Sequence, residues 1–259
     1  MRRRALGLHL WIAALLTGVM GLVLGLLGGG GSILTVPILV YVLGVEAHAA
    51  IAFSLVLVGG TAFVAALLHN RKARVGWKDG LLFASFGAPM NLAAAYFSRR
   101  LSGPLLLLLF GMVMGIAGIA LLRRGEKHQD APQKHDIHHA IASGAAVGLL
   151  TGFLGIGGGF LIVPALVLFL EMPMKLACGT SLLVISANSA VALFGRLHSL
   201  QLPWIPLLAL MVPSLVATYF GVVLSERFSG AHLRKAFAVF VIVLGIFMMA
   251  NNAATLFKH

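Results

Sequence analysis

The chain has 259 residues, of which 60% are apolar and only 10% charged, with a formal net charge of +12 and a single cysteine. So little charge excludes an ordinary soluble domain of this length, and the lone Cys178 excludes an intrachain disulfide or a cysteine-built metal cluster. The basic residues sit at the ends of apolar stretches, where they suit anionic lipid head groups and not nucleic acid.

In chain order, Arg2-Arg3-Arg4 leads into an uncharged stretch from Leu10 to Val45. A signal peptide begins in the same way, but no A-x-A site follows and the segment has a twin in mid-chain, so it reads as a first span. As one helix that stretch would be roughly 54 Å long against a hydrocarbon core of roughly 30 Å. Gly28 to Gly31 divide it into a full span, near Leu6–Leu27, and a half-length helix, near Ser32–Leu43. Further spans are expected near Ile51–His69, Leu81–Phe97 and Pro104–Leu122. The polar segment from Arg123 to His139 reads as a solvated linker, although His128, His135, His138 and His139 are imidazoles of the kind that bind metals. Uncharged stretches then resume at Ala140–Leu170, Leu176–Gly195, Leu197–Ser225 and Ala236–Phe257, the first divided at Gly155–Gly159.

The second set repeats the first. Gly21 through Pro37 returns as Gly148 through Pro164, an offset of 127 residues (148 − 21), and the register holds for Ser54 and Ser181, Trp77 and Trp204, and Gly118 and Gly245. Two such units nearly exhaust the chain, so the period denotes a duplicated membrane half and not a solenoid. The expected organisation is a first repeat over 1–122, a cytoplasmic linker over 123–139 and a second repeat over 140–259. The expected fold is all-α, with about eight transmembrane helices in two halves, each carrying a glycine-broken half-helix.

Loop charges suggest a topology. With Arg2–Arg4, the Arg71–Lys78 loop and the linker all cytoplasmic, Arg99-Arg100 falls outside and each half crosses four times. The halves would then run parallel, with both termini inside. If the half-helix also crosses, each half has five crossings and the halves are inverted. Gly21-x-x-x-Gly25, Gly111-x-x-x-Gly115 and Gly144-x-x-x-Gly148-x-x-x-Gly152 permit close helix approach. Packing within the chain is the favoured reading, and a homodimer is also admitted.

Unpaired backbone at membrane depth is tolerated only inside protein or beside a wet cavity. Half-helix starts near Ser32 and Gly159 would expose N–H groups and the positive end of a dipole, which together attract an anion. The candidate substrate site comprises Gly28, Gly30, Gly31, Ser32, Gly155, Gly157, Gly158 and Gly159. Ser54, Thr180, Ser181 and Asn188 are added as hydrogen-bond donors, with Thr61, Asn91 and Ser186 as weaker choices. Ser54 and Ser181 stand out because the duplication keeps them in register. Pro37 and Pro164 are expected to shape the chain. For a proton relay, only Glu46 and His48 come forward, both near a membrane boundary. No catalytic residue, cofactor or metal site is expected.

At Gly25-x-x-Gly28-x-Gly30-Gly31 with Pro37, and again at Gly152-x-x-Gly155-x-Gly157-Gly158-Gly159 with Pro164, the chain resembles the sulfite exporter TauE/SafE family of membrane permeases. The resemblance extends over essentially the whole chain. It implies transport of sulfite or another small sulfur-containing or organic anion, most often as export across the bacterial inner membrane. The expected partners are therefore a small anion and the lipid bilayer, and the expected activity is not enzymatic. Three functions remain open: a secondary transporter, an uncoupled channel-like anion permease, or an intramembrane enzyme or scaffold, for which no nucleophile–base or metal set is visible.

Overall fold

The structure is a computed structural model, and it describes residues 2–32, 35, 38–45, 47–98, 103–124, 137–154, 159–194 and 204–256. The described residues form helices and no strands: α1 (Arg2–Leu27), a π-helical turn (Ile38–Val42), α2 (Ala47–Asn70), α3 (Trp77–Ser98), α4 (Gly103–Arg123), α5 (Ile137–Leu154), α6 (Gly159–Leu168), α7 (Met174–Phe194), α8 (Trp204–Arg227) and α9 (Gly230–Leu256). Four of them contain stretches long and apolar enough to cross a membrane, at Ala49–Asn70, Met174–Phe194, Leu207–Arg227 and Gly230–Ala250, and four shorter apolar helices accompany them. The protein is a polytopic, multi-pass α-helical membrane protein.

The outward faces are as apolar as the core. Leu208, Val212, Val216 and Phe220 form an exposed stripe on α8, and Val239, Val243 and Ile246 form another on α9. Such stripes would promote aggregation in water but suit lipid, where burial of apolar surface no longer drives helix association. Close approach does that work instead. A Cβ added to Gly21 or Gly25 of α1 would collide with the Ser214 or Thr218 carbonyl of α8. A Cβ on Gly144 or Gly148 of α5 would strike Phe83 or Gly87 of α3. Each half thus packs its first helix against the third helix of the other half, and these small residues are used within the chain.

The contacts also fix helix direction. Along α4, Gly111 faces Gly245 and Met249 of α9, whereas Gly118 faces Ala238 and Ile242. Between α2 and α7, Gly59 faces Ser189 while His69 faces Gly179. In both pairs the residue numbers run in opposite senses. These helices are equivalents in the repeat, so equivalent helices are antiparallel and the halves are inverted about an axis lying in the membrane plane. This corrects the expected parallel arrangement. The physical reason is the re-entrant segment. It turns back along α1, with Gly31 against Met20 and Leu24 and the Thr35 Oγ1 2.9 Å from the Met20 Sδ, and so adds a fifth traverse to the half. The end of α4 therefore lies on the face opposite the start of α1. Arg123 and Arg124 at the end of α4 therefore do not share a face with the start of α1.

Candidate functional site

α1 ends where Gly28 takes a left-handed backbone, with φ of 79°. Glycine is needed there twice over. The dihedral disfavours any side chain, and a Cβ would lie 2.5 Å from the Cys178 Cα. The break leaves the carbonyls at the end of α1 without helical partners, and donors on three other helices reach carbonyls along its last turns and the break. The Ser181 Oγ donates to the Gly28 carbonyl at 2.6 Å, and the Cys178 Sγ to the Leu27 carbonyl at 3.3 Å. The Thr218 Oγ1 donates to the Gly21 carbonyl at 3.0 Å, and the His69 Nε2 lies 3.2 Å from the Gly25 carbonyl. Buried carbonyls at a helix break are costly if left unpaired, so this clasp is what allows α1 to stop inside the bundle.

Beyond the break, the two re-entrant segments meet. A Cβ on Gly29 would lie 2.7 Å from the Gly159 carbonyl oxygen, and one on Gly159 would lie 2.9 Å from the Ser32 Oγ. Ser32 and Gly159 hold the same place in the repeat, and equivalent residues can touch only on the axis that relates the halves. The starts of both segments therefore lie at mid-depth. α6 is buried from Gly159 to Val167, and Phe160 in its first turn packs edge-on against Phe110 of α4, with ring centroids 4.8 Å apart.

The sequence candidates fall into distinct places. Gly28, Gly30, Gly31, Ser32 and Gly159 are brought together at the meeting point or beside it. The Cβ directions of Gly30 and Gly31 point into protein, toward the Phe240 ring and the Met20 carbonyl, so close packing requires these glycines. Gly155, Gly157 and Gly158 lie outside the described residues. The Ser181 hydroxyl serves the α1 break and is also 2.7 Å from the Cys178 carbonyl. The Thr180 Oγ1 accepts the Gly76 N–H at 2.9 Å and so ties α7 to the turn before α3. Ser54 donates to the Ile51 carbonyl of its own helix at 2.7 Å, and Ser32 donates to the Gly29 carbonyl at 2.8 Å. Asn188 stands one turn beyond Ile185, which touches the Gly159 position, and its buried Oδ1 has no hydrogen-bond partner. Of the weaker choices, Thr61 bonds back to the Leu57 carbonyl at 2.7 Å, and Asn91 donates to Thr151 at 2.7 Å across α3 and α5. Glu46, His128 and His135 lie outside the described residues, as do the side chains of His48, His138 and His139.

Sequence reasoning missed His69 and the roles of Cys178 and Thr218. His69 closes an apolar run and reads as a boundary residue, yet it is 2% exposed. Cys178 reads as packing, yet it lies three residues before Ser181 and shares its helix face. That spacing was the available signal.

A family model described as Sulfite exporter TauE/SafE matches residues 13–248. A "Probable membrane transporter protein" of Xylella fastidiosa strain 9a5c is 35% identical over 246 residues, covering 92% of this chain and 94% of the relative. The "Probable membrane transporter protein YunE" of Bacillus subtilis is 24% identical, covering 90% and 94%. The "Probable membrane transporter protein MJ0441" of Methanocaldococcus jannaschii is 25% identical, covering 89% and 93%.

Proposed function

The chain belongs to the sulfite exporter TauE/SafE family, and from that premise we propose that it is a secondary transporter exporting sulfite or a related small anion, bound at mid-membrane between the starts of the two re-entrant segments. That it is a membrane transporter acting on a small molecule within a lipid bilayer follows from the family and its relatives. The anion, the direction and the binding place are our reading.

The observation that carries this reading is the contact of Ser32 with Gly159 on the axis between the halves. The start of a helix presents unpaired N–H groups and the equivalent of roughly half a positive charge. α6 supplies one such end at Gly159, and a second helix starting at Ser32 would bring the total to about one unit, which matches a monoanion and leaves a dianion half uncompensated in a low-dielectric setting. Asn188, one turn along α7 from the Ile185 that meets the Gly159 position, is a ready side-chain contact for the anion. Ser181 and Thr180 support the site by holding the backbone that forms it. Ser54 and Gly155, Gly157 and Gly158 would complete the equivalent sub-site in the other half.

Transport follows from the inversion. With equivalent halves facing opposite ways about a central site, exchanging their conformations opens the site to the other side of the membrane. The face bearing Arg71, Lys72, Arg74, Lys78, Arg123 and Arg124 is then cytoplasmic by its charge. The test is flux of labelled sulfite in proteoliposomes. A transporter accelerates labelled efflux when unlabelled sulfite is present outside. A channel-like permease shows no such acceleration, and an enzyme or scaffold shows no flux.

A further inference from the structure

Resting on the transport reading above, we propose that His69 is a proton-binding site that couples movement of the anion to movement of a proton. His69 lies in the last turn of α2, 2% exposed, inside a bundle that reads as membrane-embedded. Its Nε2 is 3.2 Å from the carbonyl oxygen of Gly25, in the last turn of α1 before the break. A carbonyl can only accept, so Nε2 carries the hydrogen and the neutral ring presents Nδ1 as a bare acceptor. Nδ1 is buried and has no hydrogen-bond partner among the described residues. A buried imidazole at membrane depth with one nitrogen at the end of a broken helix and the other without a partner has the features of a proton carrier.

The surroundings support one exchangeable proton. Among the described residues, Arg74, in the turn after α2, and Glu226, at the end of α8, are the charged groups whose fields reach the ring, with opposite signs. α7 meets the His69 Cβ at Gly179, and its titratable groups nearest that point in sequence are the Cys178 thiol, already engaged with the Leu27 carbonyl, and Lys175 one turn earlier. The described part of α1 from Trp11 onward and the π-helical turn bring no charge to it. The His69 carbonyl accepts the N–H groups of Lys72 and Arg74 at 3.1 and 3.2 Å, so the ring stands between the α1 break and the linker-side turn. Moving the break away from the ring frees Nε2. Protonation at Nδ1 makes both nitrogens donors and favours an arrangement in which each has an acceptor. The duplication does not repeat the residue, since Arg196 holds the equivalent place. The coupling therefore belongs to one half only.

The experiment uses the full chain in proteoliposomes with labelled sulfite, with and without an imposed pH gradient, comparing wild type with His69→Gln. Glutamine keeps an N–H for the Gly25 carbonyl but cannot take a proton. We expect a gradient to accelerate wild-type flux several-fold over the equal-pH rate. In His69→Gln, sulfite exchange between compartments of equal pH should persist while the acceleration ratio falls to about one. An unchanged ratio in the variant, or no acceleration in wild type, overturns the proposal. Loss of equal-pH exchange in both His69→Gln and His69→Asn also overturns it, because the ring would then only hold the hinge. Absence of sulfite movement by wild type under every condition refutes the transport reading itself, and this proposal with it.

Discussion

The two re-entrant segments arise from one repeated sequence, yet they are built differently. The second is a regular ten-residue helix, α6, held at its far end by Arg124. That guanidinium donates to the Val167 carbonyl, and to the Leu168 carbonyl at 3.0 Å, and lies 3.4 Å from the Glu171 carboxylate. The first passes through Thr35 to a π-helical turn at Ile38–Val42. By sequence, the place equivalent to Arg124 is Asn251. The segments do share their ending. Gly44 and Glu171 occupy the same place in the repeat and both have positive φ, 65° and 51°. Each is followed by the same bond, Val45 N–H to the Leu39 carbonyl at 3.0 Å and Met172 N–H to the Leu166 carbonyl at 3.1 Å. Duplication has kept the geometry of the cap and let its residue change, and by sequence only the second segment has an arginine at the anchoring place.

The largest test of that contrast sets Gly28 against Gly44. Both have positive φ, but a Cβ at Gly28 meets Cys178 backbone whereas one at Gly44 meets nothing within 4 Å. Gly28→Ala should abolish recovery of folded protein from detergent extracts, while Gly44→Ala should cost only about 1–2 kcal/mol, the dihedral penalty alone. Size-exclusion profiles and melting curves of the two variants separate these outcomes. Next in size is Arg124→Ala. Loss of hydrogen bonds from a charged donor costs about 1.5–3 kcal/mol each in partly buried sites. Amide exchange should quicken across 159–168 and stay unchanged across 38–45, and equal quickening in both would erase the asymmetry.

A smaller effect is expected at the paired serines. Ser181→Ala leaves the Gly28 carbonyl unpaired, at a cost of about 1–3 kcal/mol. Ser54→Ala removes only a bond to its own helix and should cost well under 1 kcal/mol. Thermal denaturation of both in the same detergent is the check. The smallest change is Glu171→Gly, which makes the second cap resemble the first. It relieves a side chain in the left-handed region and gives up a half-exposed ion pair worth about 0–1 kcal/mol. The melting temperature should hold or rise slightly, and a marked fall would mean that the carboxylate, and not the backbone, secures α6.

Much of this fold can be read in the residues. The apolar stretches, the break at Gly28–Gly31 and the register of 127 (148 − 21) place the helices and both re-entrant segments, and Gly159 does begin a helix. The inversion was less accessible, because Arg2–Arg4 form a basic segment like those on the opposite face and so read as cytoplasmic together with them. Gly28–Gly31 were legible as a break but not in their packing role. Whether a missing Cβ admits a ligand or a neighbouring helix depends on contacts such as Gly30 with Phe240, more than 200 positions away in the chain. His69 and Cys178 were hidden for the same reason, since each acts on a carbonyl of α1 that no local pattern brings near.

The central claim is that an anion binds where the two segments meet on the axis. Diffraction at the selenium edge from crystals grown with selenite, a heavier analogue of sulfite, tests it most directly. The account predicts an anomalous peak within hydrogen-bond reach of the backbone N–H groups near Ser32 and Gly159. A well-ordered structure with selenite bound elsewhere, or with protein alone filling that place at saturating selenite, would contradict it.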